Sequence, residues 1–211
     1  MSDATQALET YLENAVTFEV DAPLYPVSIH YRDPGEKLEE GMARAIRDIV
    51  KDNTLSGHVL AFLPGMRELR RTEEVLRNLV NNPVFLLHGD LSKEEQDLAF
   101  KPTRERKVIL STNIAESSIT IDGIRTVIDA GLERVASLSP WTGLSSLSTK
   151  KASKASLIQR TGRAGRQGPG VAIRLFSQHD FETRPPFSYP EIRRADLSQT
   201  VLELLSLGIS Q

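Results

Sequence analysis

Short apolar runs alternate along this chain with longer stretches in which charge and hydrophobicity recur at helical spacing. Gly57 to Leu63 is nearly continuous in apolar residues, the sign of a strand covered on both faces. Val84 to Leu87, Lys107 to Ser111 and Arg125 to Asp129 repeat that pattern. Between them lie amphipathic segments: Glu36 to Lys51, with Leu38, Met42, Ala45, Ile46 and Ile49 on one stripe, and a charged helix from Met66 to about Val80. Ser92 with Glu95 three positions on is a capping-box signature for a helix ending at Phe100. Nearer the start, the pattern predicts a short helix at Ala7 to Leu12 and a short strand at Thr17 to Val20. Pro26 to Tyr31 follows as a strand with Val27, Ile29 and Tyr31 on one side.

Strand and helix joined by short links predict an α/β fold: a mostly parallel sheet with helices on both faces. Ligands on such sheets sit at the carboxyl ends of the strands. Gly65, His88-Gly89, Thr112-Asn113 and the Asp129 to Gly131 turn all fall there. Leu132 to Leu138 and Leu144 to Thr149 alternate as two strands, which predicts a β-hairpin projecting from the domain with Trp141 near its tip. A strand at Gly170 to Phe176, an irregular proline-rich passage and a helix from Leu197 to Leu207 complete the chain. Leu202, Leu205 and Ile209 are available there for packing.

Composition narrows the class. The 211 residues are 39% apolar and 26% charged, enough for a full core and unlike a disordered chain. No apolar run approaches a membrane span, and the start lacks a signal-peptide pattern. Cysteine is absent, which excludes disulfides and thiolate metal sites and fits a cytoplasmic protein. His30, His58, His88 and His179 show no metal-ligand spacing. The net charge of -2 conceals an asymmetry: Arg125 to Leu175 holds nine Lys or Arg against two acids, whereas the first 55 residues lean acidic. A basic segment in an acidic chain points to one anionic contact surface.

Two stretches concentrate candidate chemistry. Gln159 to Gly170 reads Gln-Arg-Thr-Gly-Arg-Ala-Gly-Arg-Gln-Gly-Pro-Gly, directly after a helical run. Continued as a helix, it puts Gln159, Arg163 and Arg166 on one face and turns Arg160 elsewhere. Guanidinium forks approached over bare glycine backbone suit a polyphosphate, because Arg offers planar, permanently charged, bidentate donors. Ser111 to Gly123, Ser-Thr-Asn-Ile-Ala-Glu-Ser-Ser-Ile-Thr-Ile-Asp-Gly, follows a buried strand. That strand is Lys107 to Ser111, and the stretch crowds hydroxyls, an amide and a carboxylate where a ligand is expected, while part of it caps a short helix around Glu116.

Together these two stretches closely resemble motifs V and VI of DEAH-box RNA helicases of superfamily 2. Val59-Leu-Ala-Phe-Leu-Pro-Gly65 resembles motif IV and Leu87-His-Gly-Asp-Leu-Ser92 the element after it. Pro190-Glu-Ile-Arg-Arg with Leu204-Leu-Ser-Leu-Gly-Ile209 resembles the family's domain exit. The resemblance implies the second RecA-like domain, of P-loop NTPase type, over residues 17–210, with 1–16 leading in from a first such domain. Arg163 and Arg166 would then meet the γ-phosphate of ATP, one as arginine finger, with Gln159 placing the attacking water. Ser118, Thr120 and Asp122 align with residues that sense the nucleotide, Asp122 near the ribose, and Phe100 with an aromatic that stacks on adenine. Gly65, Thr112 and Asn113 align with groups that hold the backbone of single-stranded RNA, and the hairpin with a strand-separating element.

No Gly-x-x-x-x-Gly-Lys-Ser/Thr and no Asp-Glu-x-His occurs in the sequence. In the family the phosphate loop and the Mg²⁺ carboxylate belong to the first domain, and a winged helix follows the second. The expectation is therefore an excised domain that is inactive alone and needs both neighbours, with no membrane partner. Two other classes remain open at this point: a catalytically inert module that binds RNA or protein, and half of a DNA helicase.

Overall fold

The structure, a computed structural model, describes residues 11–12, 25–117, 120–138, 145–188 and 197–209. The strand expected at Thr17 to Val20, Ser118, the turn bearing Trp141 and the Pro190-Glu-Ile-Arg-Arg stretch lie outside the described residues, as does most of the helix expected at Ala7 to Leu12.

Eight strands are present among the described residues: β1 (Val27–Tyr31), β2 (His58–Phe62), β3 (Val84–Leu87), β4 (Val108–Ser111), β5 (Ile124–Asp129), β6 (Leu132–Leu138), β7 (Ser145–Lys151) and β8 (Gly170–Arg174). Six of them form one sheet in the order β1-β8-β5-β2-β4-β3, and every pairing in it is parallel. β6 and β7 pair antiparallel, from Leu132 opposite Lys151 to Leu138 opposite Ser145, as the expected hairpin.

The continuous apolar runs follow from cover on both sides. Val59 and Ala61 of β2 join Val108 and Leu110 of β4 in one core cluster, under helices α1 (Leu38–Lys51) and α2 (Met66–Leu76). The intervening Leu60, Phe62 and Ile109 point into a second cluster on the opposite face. That face carries α3 (Lys93–Phe100), the single turn α4 (Ile114–Ser117) and the segment after α5 (Lys154–Gly162). Side chains alternate across a strand, so each strand feeds both cores.

The Ser92–Glu95 capping box is made in full. Other boundaries move. α2 stops at Leu76, short of the expected Val80, and β8 ends at Arg174. α5 continues past Ile158 to Gly162 before tightening into a 3-10 turn, Arg163–Gly165. α6 (Gln178–Thr183), capped by Ser177 on the Asp180 N–H, occupies the start of a passage read as irregular. The stripe expected on β1 is incomplete. β1 is the sheet's edge, with one neighbour only, and Ile29 is 43% exposed there. On α7 (Ser198–Ser206) Leu202 and Leu205 are exposed, as is Ile209 beyond it. Among the described residues no helix is long and apolar enough to cross a membrane.

Candidate functional site

The polar loop after β4 and the arginine segment after β7 meet at several points, and the first of them is Glu116. Its carboxylate Oε2 accepts from Ser156 Oγ at 2.7 Å and Arg160 Nε at 2.9 Å. Its backbone carbonyl accepts from Arg163 Nε at 3.2 Å and Nη2 at 2.5 Å. Arg160 and Arg163 thus converge on one acceptor residue, being three apart on one helical face. Arg160 does turn away from the exposed Gln159 and Arg166, but not from Arg163, with which it shares Glu116.

Arg160 is 1% exposed and sits among three carboxylates: Glu116, Asp129 at 3.2 Å and Glu133 at 3.9 Å. It also donates to the Leu132 carbonyl at 3.2 Å and lies over the Phe62 ring. Burial alone would depress its pKa; Asp129, Glu116 and Glu133 overcome that and raise it. Four separate segments are fastened by this one guanidinium.

Arg163 is 5% exposed, and Arg166, three residues on, is exposed and donates to Thr120 Oγ1 at 3.2 Å. Burial, and then the like charge of Arg166, push the Arg163 pKa down, partly opposed by Glu116. Two guanidiniums repelling each other over neutral acceptors favour a polyanion arriving between them. Gln159 is exposed on the preceding turn. Leu60, Ala115, Ile121, Ile124, Arg163 and Arg166 line a crevice of only about 10 Å³, too small to enclose a nucleotide. Gly165 needs a different explanation from the one the sequence suggested. A Cβ on Gly165 would lie 2.6 Å from the Tyr25 carbonyl oxygen, so close backbone packing, not ligand approach, requires it bare.

The other candidates of this group gather nearby. Thr120 and Asp122 are exposed, and Asp122 Oδ1 accepts from Gln167 Nε2 at 2.7 Å. Phe100 is half-buried against the cluster of Leu60 and Phe62. Lys107, 1% exposed, donates to the Ala99 and Lys101 carbonyls on either side of Phe100. Burial lowers the Lys107 pKa and the charge of Asp122 opposes this, which ties Phe100 and Asp122 to one neighbourhood.

These residues do not lie at the carboxyl ends of the strands. Asp122 and Gly123 immediately precede β5, and Gln167 to Pro169 immediately precede β8. Of the candidate site residues Gly65, Thr112 and Asn113 obey the carboxyl-end rule, after β2 and β4, as do His88-Gly89 after β3 and the Asp129 to Gly131 turn closing β5. Asn113 is exposed and lines a groove of about 590 Å³ with Glu133, Arg134, Lys150, Lys151 and Phe187. Gly65 caps α2, and a Cβ there would lie 2.7 Å from Arg134 Nε. Thr112 is 6% exposed, its N–H donating to the Leu87 carbonyl at 3.3 Å. Arg134, Lys150 and Gln167 were not singled out from the sequence. Their basic or amide character was visible, their convergence was not. Among the described residues no group of three or more His, Asp or Glu side chains could hold a metal ion.

An all-parallel sheet with a projecting hairpin, and an arginine pair docked on a hydroxyl-rich loop, define a RecA-like helicase domain. The chain belongs to the helicase conserved C-terminal domain family, whose model matches residues 41–168. Within that family its likeness is to the DEAH type. It is 40% identical over 198 residues to the ATP-dependent RNA helicase HrpB of Escherichia coli K12, covering 92% of this chain and 24% of that protein. It is 36% identical over 217 residues to the human probable ATP-dependent RNA helicase DHX34, covering 95% of this chain and 19% of that one. A crystal structure of the Escherichia coli DEAH/RHA helicase HrpB superposes with a TM-score of 0.82 at 40% identity, covering 90% of this chain and 25% of that one. The chain spans about a quarter or less of the length of each.

Proposed function

We propose that this domain serves as the second RecA-like half of an ATP-dependent DEAH-type RNA helicase. It would complete an ATP site against a first RecA-like domain and grip single-stranded RNA along its own carboxyl rim. The observation that carries this is the contact between the two motifs: Arg166 on Thr120, with Arg163 on the Glu116 carbonyl of the same loop. Arg163 and Arg166 would neutralise charge on the transferring phosphoryl group, Gln159 would place the attacking water, and Phe100 would stack on the adenine. Thr120, Asp122 and Ser118 would sense the nucleotide, with Asp122 at the ribose. The Mg²⁺ that shields the phosphates is assigned to the first domain.

Coupling follows from connectivity. Thr112 and Asn113, proposed to hold the RNA backbone with Gly65, open the same segment whose middle and end hold Arg163 and Arg166. A shift of the arginines on hydrolysis would therefore move the start of that segment, and RNA would bias the arginines in return. Backbone contacts of this kind give binding largely independent of sequence. The hairpin would part strands, with a winged helix downstream as a further partner, and the cysteine-free sequence suits a cytoplasmic setting.

The test is Arg163→Ala in the full-length protein. RNA-stimulated ATP turnover should fall by roughly 10³ to 10⁵, the range such arginines supply, with RNA affinity unchanged. Turnover at the wild-type rate would remove the arginine-finger role.

A further inference from the structure

Gln167 stands one residue beyond the arginine motif, and nothing in the motif pattern gives it a task. It is exposed, yet both ends of its amide are engaged. Oε1 accepts from the Gly123 N–H at 2.6 Å, and Nε2 donates to Asp122 Oδ1 at 2.7 Å. These partners are consecutive residues of the turn that enters β5. The turn is anchored from its other side, because the Gly123 carbonyl accepts from the His58 N–H at the start of β2 at 2.7 Å. The Asp122 carboxylate is thereby tied, through one oxygen, to backbone fixed in the sheet.

An exposed Asp left to itself samples several rotamers, and a ligand that uses it must freeze them. Here that ordering is done in advance. Among the described residues Asp122 Oδ2 receives no hydrogen bond, so the second oxygen is available to accept. An ionised carboxylate is acceptor-only, and it suits neutral hydroxyl donors. Two residues upstream Thr120 carries the Arg166 guanidinium, which suits the phosphate end of the same ligand. A fixed acceptor beside a cation is the arrangement a nucleoside triphosphate needs at its sugar.

We propose that Gln167 is a positioning residue for the sugar of the bound nucleotide, holding Asp122 so that its second oxygen accepts from the ribose hydroxyls. This rests on the assignment of Asp122 to the ribose made above and adds the residue that aims it. A merely structural staple between the two turns would affect both ribo- and deoxynucleotides alike; a positioning residue changes the ratio between them.

The experiment compares kcat/KM for ATP and 2′-deoxy-ATP in the full-length protein with saturating RNA. The wild type should prefer ATP. Gln167→Met, similar in length but without the amide, should shrink that preference about 5- to 10-fold, the size of one net hydrogen bond lost or misaligned. Asp122→Ala should shrink it at least as far, and the double variant no further, since the two residues act as one unit. If Asp122→Ala narrows the preference while Gln167→Met retains the wild-type ratio, Gln167 has no part in sugar recognition and the proposal is overturned alone. If neither variant changes the ratio, the assignment of Asp122 to the ribose is wrong and the proposal goes with it. Should Gln167→Met fail to fold, Gln167→Asn, whose shorter amide cannot span both partners, is read in the same way.

Discussion

Arg160 and the Arg163–Arg166 pair belong to one short segment, yet the fold treats them in opposite ways. Arg160 is 1% exposed and takes its partners from Glu116, Asp129 and Glu133, three carboxylates of this same chain. Arg163 and Arg166 rest on a carbonyl and a hydroxyl and repel one another. A guanidinium already surrounded by acids has nothing left for a phosphate. The acceptors described for the pair are neutral, and the charge of Glu116 offsets only part of what lowers the Arg163 pKa. Arginine in a motif therefore says little by itself; the sign of what surrounds it separates the fold's residue from the chemistry's.

That contrast is easiest to break by exchanging the readouts. Arg163→Ala should remove the roughly 10³- to 10⁵-fold rate contribution while costing the domain about 1–3 kcal/mol of stability, for the two hydrogen bonds to the Glu116 carbonyl. Arg160→Met should do the reverse and leave three acids around a neutral side chain. Truncating one partner of a buried ion cluster costs about 3–5 kcal/mol, measured as a lowered urea midpoint. Arg160→Lys should recover part of it, keeping the charge but not the fork that reaches four segments. An Arg160→Met domain as stable as wild type would mean that the cluster is not what joins α4 to the hairpin base.

Lys107 sharpens the comparison, since it is buried like Arg160 but without a carboxylate in contact. Its Nζ donates to the Ala99 carbonyl at 2.8 Å and the Lys101 carbonyl at 2.9 Å, closing the carboxyl end of α3. Lys107→Met removes two bonds to neutral acceptors and keeps the packing. The expected loss is about 1–3 kcal/mol, smaller than for Arg160. Because those carbonyls flank Phe100, the variant should also weaken binding of ATP more than of base-free ribose triphosphate. Equal weakening of both ligands would separate Lys107 from the adenine platform.

How much of this was open to reading depends on the range of the interaction. The continuous runs of β2 and β4 disclosed strands buried on both faces because that signal is local and redundant. The capping box at Ser92 and Glu95 was legible for the same reason. The alternation of strand and helix likewise disclosed a mostly parallel sheet, but the strand order rests on contacts between distant segments, which periodicity does not encode. The partners of Arg160 were hidden on identical grounds: they come from the loop after β4, the end of β5 and β6. Gly165 carried a true signal, bare backbone, but the approaching group was Tyr25 and not a phosphate. Helix α6 announced itself only by Ser177 and Asp180, a cap without enough apolar periodicity behind it. The nucleotide candidates were identified by type and order, while their place at the amino ends of β5 and β8 required coordinates.

The smallest effect expected here concerns His58, which has burial and neighbouring charge like Arg160 but with the charge of opposite consequence. Its Nδ1 accepts from the Lys107 N–H at 3.2 Å, a role only the neutral imidazole can fill. Burial first, then the charges of Lys107 and Arg106, push its pKa down. A folded pKa below the unfolded value of about 6.5 means that the unfolded chain binds the proton more readily. The contribution of His58 is therefore present above about pH 6.5 and is lost as pH falls through the folded value. Asp48 and Asp180, whose carboxyls are also held low by Arg and Lys neighbours, lose theirs only below about pH 3.9. Between pH 7 and 5 the decline assigned to His58 is thus separable from theirs. His58→Gln keeps an acceptor and cannot titrate, so its urea midpoint should fall less than that of the wild type over this interval. Parallel curves for the two proteins would show that the imidazole is not held neutral at the amino end of β2.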